Sequence, residues 1–538
     1  MEINTLSMSV IIIIYIGILS ILAFYGYKET KTADDYMLAG RNIRAWIMSL
    51  SYGAAFISTA AIVGFGGTAA QFGFSLLWLT FLTIFVGVIV AFAFLGTRIR
   101  SMSQHFEANT FSTFLGKRYD SRFITVFVGA MIFIFLPIYT GAILKGGAYF
   151  IEVALNMEHN LALFILAIIV AAYVLSGGLR AVMYTDAFNG CIMLVGMIIL
   201  LFSTYAAVGG FVDGHQTLTD MANLVPNDMV EIGHRGWTAM PEAGSQIWWT
   251  VISSLVMGVG IGVLAQPQLT MRFMTVKKTS SLYRAIAIGC VFIFFMTGTA
   301  FIVGPLSNVY FQETQGMLAM QVAEGNVDQI IPLFIDHFMP SWFLYLFMLT
   351  LLSAAISTTS SLIHVQGASF GKDILETSGI IKGEKNANGA NNSNGTLPTR
   401  VGVLIGVVLA VMLAFLLPEN VIARATAFWF GICAAGFLPA LVGGLYWQGA
   451  TRAGAIASMI SGYAISIFGF LFLHVSESAE IGLAQLLFGK DALLEFPWTH
   501  INPLIYALPL SALVYVVVSL FTKPPATQAI THYFQRRG

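Results

Sequence analysis

Charge is what this 538-residue sequence has least of: Asp, Glu, Lys and Arg make up 10% of it, against about a quarter in an ordinary soluble protein. A chain that is 57% apolar cannot cover a water-facing surface with so few charges, which excludes a soluble globular protein. An excess of either sign is missing too, since 26 basic residues balance 26 acidic ones. No basic patch interleaved with aromatics occurs, and nucleic acid is excluded as a partner. Cysteine is scarce: Cys191, Cys290 and Cys433 lie inside apolar runs without the spacing of a metal or redox site, and are read as packing residues. Of nine histidines only His364 falls clearly within an apolar run, so the His or carboxylate clusters of a membrane enzyme are lacking. The repeated filter motifs or charge rings of a channel are lacking as well. The 17 residues after Phe521 are too few for the output domain of a sensor.

Long apolar runs are what the sequence does have. A hydrocarbon core of ~30 Å needs about 20 helical residues. Thirteen runs approach or exceed that length, at 8–27, 45–69, 73–96, 123–151, 160–175, 181–209, 246–265, 285–305, 341–365, 401–417, 425–448, 453–474 and 503–521. The first has no basic residue before it and no small-residue cleavage site after it, and reads as a retained membrane helix. With the N-terminus outside, 22 of the 26 Lys and Arg fall in inward loops, Arg272 among them; Arg235, Arg424 and Lys490 fall outward, and Lys145 lies within the fourth run. Basic residues stay on the cytoplasmic side. One spurious span would move every later loop to the other side, so the asymmetry favours thirteen spans, N-terminus outside and C-terminus cytoplasmic. The stretch from Lys382 to Thr399 reads as a turn-rich cytoplasmic linker, where the glycosylation matches at Asn391 and Asn394 are coincidental. The outward loops 210–245, 306–340 and 475–502 read as short lids at the membrane surface.

Function is sought where spans are interrupted or polar. The second span places Ser58 and Thr59 ahead of Gly64, Gly66 and Gly67, and the seventh carries Gly258-Val-Gly-Ile-Gly and ends in Gln266-Pro-Gln. Glycines let a helix unwind, and unwound backbone at that depth is tolerated only where it lines a cavity. Close packing through small residues is the alternative. The two spans stand five apart, the spacing of inverted repeats over spans 2–6 and 7–11. The ninth span holds Ser353-Ala-Ala-Ile-Ser-Thr-Thr-Ser-Ser, with Ser357, Ser360 and Ser361 on one helical face. A lone hydroxyl there bonds back to its own helix. A cluster offers the neutral oxygens that sodium takes. Asp186, in Tyr184-Thr-Asp, is either a helix cap or an ion ligand. Lys145 either faces a solute carboxylate, pairs with Glu152, or snorkels outward.

These features, together with Asp35-Tyr-Met-Leu-Ala-Gly-Arg, Tyr173-Val-Leu-Ser-Gly-Gly-Leu-Arg-Ala, Gln266-Pro-Gln-Leu-Thr-Met-Arg-Phe-Met and Gly371-Lys-Asp-Ile-Leu, resemble the sodium:solute symporter family over nearly the whole chain. That family includes bacterial proline, pantothenate, sialic acid, monocarboxylate and sugar cotransporters. The resemblance implies an all-α integral membrane protein with the inverted five-helix-repeat transporter fold, a 5+5 core with one extra helix before and two after. Residues 1–44 would be the extra helix and a cytoplasmic loop, 45–211 and 246–448 the two repeats, and 449–538 the last two helices and tail. It implies a sodium-coupled symporter, not an enzyme, with no cofactor besides the coupling ion, and the lack of disulfide pairs and the short tails favour a prokaryotic inner membrane. In similar transporters sodium is held at the positions that here read Ala54, Ile57, Ala354, Ser357 and Thr358, and some members hold a second at Asp186, Ser357, Ser360 and Ser361. Solute contacts are expected from Ser58, Thr59, Gly64, Gly66, Lys145 and Gln266. Sugar carriers have polar residues where this chain has Ala60 and Ala61, and proline carriers have Asp where it has Phe56. A small apolar pocket facing freed helix-end amides suits a short monocarboxylate first and a proline-like amino acid second.

Overall fold

The computed structural model describes residues 5–381, 397–525 and 533–534; the linker stretch 382–396, with Asn391 and Asn394, lies outside the described residues. Among the described residues the chain is helical, with a single β-bridge between Ile43 and Val276. That follows from the composition, because a backbone in hydrocarbon must satisfy its own hydrogen bonds and an isolated helix does so. Among the described residues eleven helices are long and apolar enough to cross a membrane, from Val10–Glu29 to Leu504–Phe521. Two expected spans do not stand alone in that set: the second is broken and its later half runs on with the third in Ala60–His105, and the fifth is the short apolar helix His159–Ile169.

The connections gather at two ends of the bundle. At one end Arg41 reaches the Ala108 carbonyl, Arg98 that of Leu445, Arg100 that of Val276, and Arg180 pairs with Glu29. At the other the Phe74 amide bonds the Trp237 carbonyl, the Val327 amide bonds Asn420, and Arg424 pairs with Glu477. The expected lid loops contain short helices, among them Phe211–Asp220, Ile330–Phe338 and Val475–Ile481.

Burial sorts the helices by role. Val10–Glu29 and Leu504–Phe521 are buried over only 22% and 28% of their apolar windows, whereas Ser341–Glu376 is buried over 89%. The helix enclosed on all sides is therefore the one that carries the hydroxyl cluster, where water cannot compete for those groups.

Both glycine-rich helices are broken, but not at their glycines. Ala45–Phe56 ends where Ile57 turns extended (φ −87°, ψ 110°), and helix resumes at Ala60. The second break is at Gln266 (φ −72°, ψ 120°), which Pro267 imposes by disfavouring helical backbone in the residue before it. Gly64, Gly66 and Gly67 lie in the resumed helix and serve close approach. A Cβ on Gly64 would meet Ile422 at 2.8 Å, one on Gly66 would meet Ile331 at 2.9 Å, and one on Gly67 would overlap the Val327 carbonyl oxygen. Gly262 likewise abuts the backbone of Phe430. The packing alternative describes these glycines, and the unwinding belongs to residues beside them.

Candidate functional site

The first break frees carbonyls that a continuous helix would consume, and the buried hydroxyl helix lies directly against them. Ser357 Oγ stands 2.9 Å from the Ala54 carbonyl oxygen and 3.3 Å from that of Ala354. Thr358 Oγ1 stands 3.0 Å from the Ala54 oxygen and 3.3 Å from that of Ile57. All five residues are fully buried or nearly so. Two hydroxyls and three carbonyls thus converge within hydrogen-bond distance of one another, the hydroxyls donating to the carbonyls. Oxygens held at about 2.3–2.6 Å around a hard cation of calcium-like size stand roughly 3.2–3.7 Å apart. A small outward adjustment would turn this hydrogen-bonded cluster into a neutral five-oxygen cradle.

One helical turn further along, Ser361 Oγ donates to the Ser357 carbonyl at 2.8 Å and Ser360 Oγ to the same oxygen at 3.0 Å. Asp186 reaches this face, but its company differs from the expected ion. Arg272 Nη2 lies 2.8 Å from Asp186 Oδ2 and 2.5 Å from Ser361 Oγ, and Ser51 Oγ donates to Asp186 Oδ2 at 2.8 Å. The guanidinium is fixed from its other side by the Gln268 carbonyl at 2.7 Å and the Ser51 carbonyl at 3.1 Å. Arg272 is 1% exposed, so its place in a cytoplasmic loop is corrected: Pro267–Thr275 is a buried half-helix. A second sodium at Asp186 and Ser361 would have to share the carboxylate with a guanidinium already in contact with both, and like charges that close repel strongly out of water. The second-sodium set of Asp186, Ser357, Ser360 and Ser361 and this ion pair therefore compete for one carboxylate.

Beside the first break lies a cavity of about 20 Å³, close to the room one water needs, lined by Phe56, Ser58, Tyr139, Thr297, Phe301 and Phe430 among others. No Asp, Glu, Lys or Arg lines it. The rings close on one another, with Phe56 and Phe430 centroids 6.0 Å apart and Tyr139 and Phe430 5.6 Å apart.

Of the expected solute contacts, Ser58 lines this cavity and the others are engaged elsewhere. Thr59 donates to the Ile143 carbonyl at 2.7 Å, and Gly64 and Gly66 pack against neighbouring helices. Gln266 donates to the Gly262 carbonyl at 3.2 Å and accepts from Gln268. Lys145 places Nζ 2.5 Å from the Leu417 carbonyl and 3.0 Å from that of Pro418, so it faces neither the cavity nor Glu152. Glu152 pairs with His159 at 2.8 Å instead. The sequence reading missed Arg272, Ser51 and the aromatic and threonine lining. A lone carboxylate inside a span demands a partner, and that signal could have directed the search to Arg272.

Comparison with known proteins places this arrangement. The model of the sodium:solute symporter family matches residues 36–462. Sodium/proline symporter 2 of Staphylococcus saprophyticus is 28% identical over 477 residues, 86% of each chain. The sodium/proline symporter of Staphylococcus aureus is 26% identical over 497 residues, 89% of each chain. Among solved structures, a Na+-coupled sialic acid symporter in a substrate-bound outward-open state aligns with a TM-score of 0.71 at 17% identity, covering 96% of this chain and 98% of that one. A nucleobase-cation-symport-1 family transporter in a closed conformation aligns at 0.50 and 13% identity, covering 92% of this chain and 96% of that one. These likenesses establish the inverted-repeat transporter fold.

Proposed function

The chain belongs to the sodium:solute symporter family and is a multi-pass membrane transporter, not an enzyme; from that premise we propose that it imports one neutral, proline-like amino acid with one sodium ion. The observation that carries the reading is the convergence of Ser357 and Thr358 hydroxyls on the freed carbonyls of Ala54, Ile57 and Ala354. Sodium binds there between the broken helix and the hydroxyl helix. Its occupancy draws the break into register and orders Ser58 at the cavity one residue beyond Ile57. One sodium is proposed because Arg272 supplies the positive charge that Asp186 requires.

The short monocarboxylate gives way here to the amino acid. A cavity without charged side chains suits a solute of net charge zero, since no side chain lining it offers a monoanion a countercharge. Lys145, on which a carboxylate preference would lean, is spent on two carbonyls. The printed names of two relatives include proline, and an apolar ring fits among Phe56, Phe301 and Phe430. With Phe56 where proline carriers have Asp, the ammonium is met by hydroxyl and carbonyl oxygens instead of a carboxylate.

We assign thirteen crossings, counting the broken helix and the short fifth, with the end bearing Arg41, Arg98 and Arg180 in the cytoplasm and the N-terminus outside. On this assignment residues 45–211 and 246–448 are the two inverted repeats. Uptake into proteoliposomes under an inward sodium gradient, screened over proline, pyruvate, lactate, acetate, propionate and glucose, tests the proposal. Proline is expected to be preferred and its uptake to vanish without sodium. Preference for lactate or pyruvate would overturn the amino-acid assignment, and uptake driven equally by a proton gradient would overturn sodium coupling.

A further inference from the structure

Lys145 and Asp328 come from different elements and address the two ends of one link. The helix Leu397–Leu416 ends just before Leu417 and Pro418, and the helix Ile422–Tyr446 begins four residues later. Lys145, from helix Arg122–Leu155, sets its ammonium on the Leu417 and Pro418 carbonyls, at the negative end of the first helix dipole. Asp328, from the strap segment Val327–Gln329, lies at the start of the second, where the Ile422 and Val421 amides at the positive helix end favour its anion. Each charge sits where a helix end favours it. The strap is tied down further by the Val327 amide donating to Asn420 Oδ1 at 2.7 Å.

What this link holds shut is the outer half of the broken helix. The Val327 carbonyl rests on Gly67, Ile331 on Gly66 and Ile422 on Gly64. One and two turns into the same helix, Thr426 and Phe430 line the cavity. Strap and helix start therefore form one cover, tied by the Val327 amide to Asn420 with the Asp328 carboxylate buried between them.

We infer that Lys145 and Asp328 form an external latch over the solute cavity, and that external protons loosen it by neutralising Asp328. Asp328 is 1% exposed, and its Oδ2 has no partner among the described residues, so one oxygen is free to take a proton. The charged and titratable groups facing it are Lys145 and Tyr149 of helix Arg122–Leu155 and Glu419 of the link. Burial pushes its carboxyl up to about 7, against the lowering effect of the Ile422 and Val421 amides and Lys145. The anion that the helix end favours is thus present above about pH 7 and lost as pH falls through it.

The inference rests on the proposed orientation but its test needs neither sodium nor solute, so its failure and that of the transport reading are separable. In a background with Cys191, Cys290 and Cys433 replaced by serine, Thr426→Cys is the reporter, modified from outside right-side-out vesicles by a membrane-impermeant cationic methanethiosulfonate. At pH 8, Asp328→Asn is expected to raise the modification rate tenfold or more, and Lys145→Met to raise it in the same direction. The ratio of the Asp328→Asn rate to that of the Asp328 parent should fall toward one at pH 6, because protonation has already released the parent. Should Asp328→Asn fail to reach the membrane, Lys145→Met carries the pH 8 comparison. Equal rates at pH 8, or a ratio unchanged between pH 8 and pH 6, would overturn the latch.

Discussion

Replacing Thr358 by valine deletes one oxygen from the proposed sodium cradle while keeping volume and β-branching. Thr358 Oγ1 is 3.0 Å from the Ala54 carbonyl and 3.3 Å from that of Ile57, in a place with no exposure to water. Nothing can therefore substitute for the lost ligand without opening the bundle. An interaction with a charged group is worth about 1.5–3 kcal/mol, which corresponds to roughly a 10- to 150-fold weaker ion. The half-saturating sodium concentration for proline uptake should rise by that factor in Thr358→Val. Thr358→Ser, which retains the oxygen, should stay near wild type. Solute affinity at saturating sodium should change little, because Thr358 does not line the cavity. Folding should survive, since Ser357 still donates to the Ala54 carbonyl. The measurement is initial uptake against sodium at clamped membrane potential. An unchanged sodium requirement in Thr358→Val, or equal impairment in Thr358→Ser, would refute the reasoning.

Arg272→Gln leaves Asp186 buried without its cation, and thermal unfolding in detergent should show a loss of about 3–5 kcal/mol, with partial recovery on adding Asp186→Asn. Gly67→Ala drives a methyl into the Val327 carbonyl and should destabilise by about 1–3 kcal/mol, visible as a lower unfolding midpoint, whereas Gly17→Ala, with open space around it, should not. Outside the membrane, burial works to raise the Glu477 carboxyl, but His474 and Arg424 outweigh it and hold it below the ordinary range. A lowered carboxyl contributes stability above its ordinary value and loses that contribution as pH falls through the folded value. Glu477→Gln should accordingly lower the unfolding midpoint at neutral pH, and the gap to wild type should close as the medium is acidified below the ordinary carboxylate range.

The sequence was most legible where a property is local or additive. Apolar runs, the two interrupted helices and the hydroxyl cluster 353–361 all depend on residue type and spacing, and the structure contains each of them. The break at Ile57 was harder to locate because neither glycine nor proline marks it; Ile57 is extended only in the context of its neighbours. Gly64, Gly66 and Gly67 misled for the complementary reason: a missing Cβ serves unwinding and close approach equally, and only the opposing backbone decides between them. Arg272 looked like a loop residue because charge is ordinarily kept out of a membrane bundle. Its burial depends on Asp186, 86 positions earlier in the chain. Lys145 was conspicuous, yet its partners are backbone carbonyls, which no side-chain pattern reveals.

The most direct measurement is the simultaneous flux of labelled sodium, labelled proline and charge into proteoliposomes of the wild-type protein. The expected result is one sodium and one positive charge per proline, so that each 100 mV, inside negative, adds about 2.3 kcal/mol, or roughly 50-fold, to the attainable accumulation. Two sodium ions per proline would contradict the role given to Arg272. Proline uptake with no accompanying sodium would contradict the site at Ala54, Ile57, Ala354, Ser357 and Thr358.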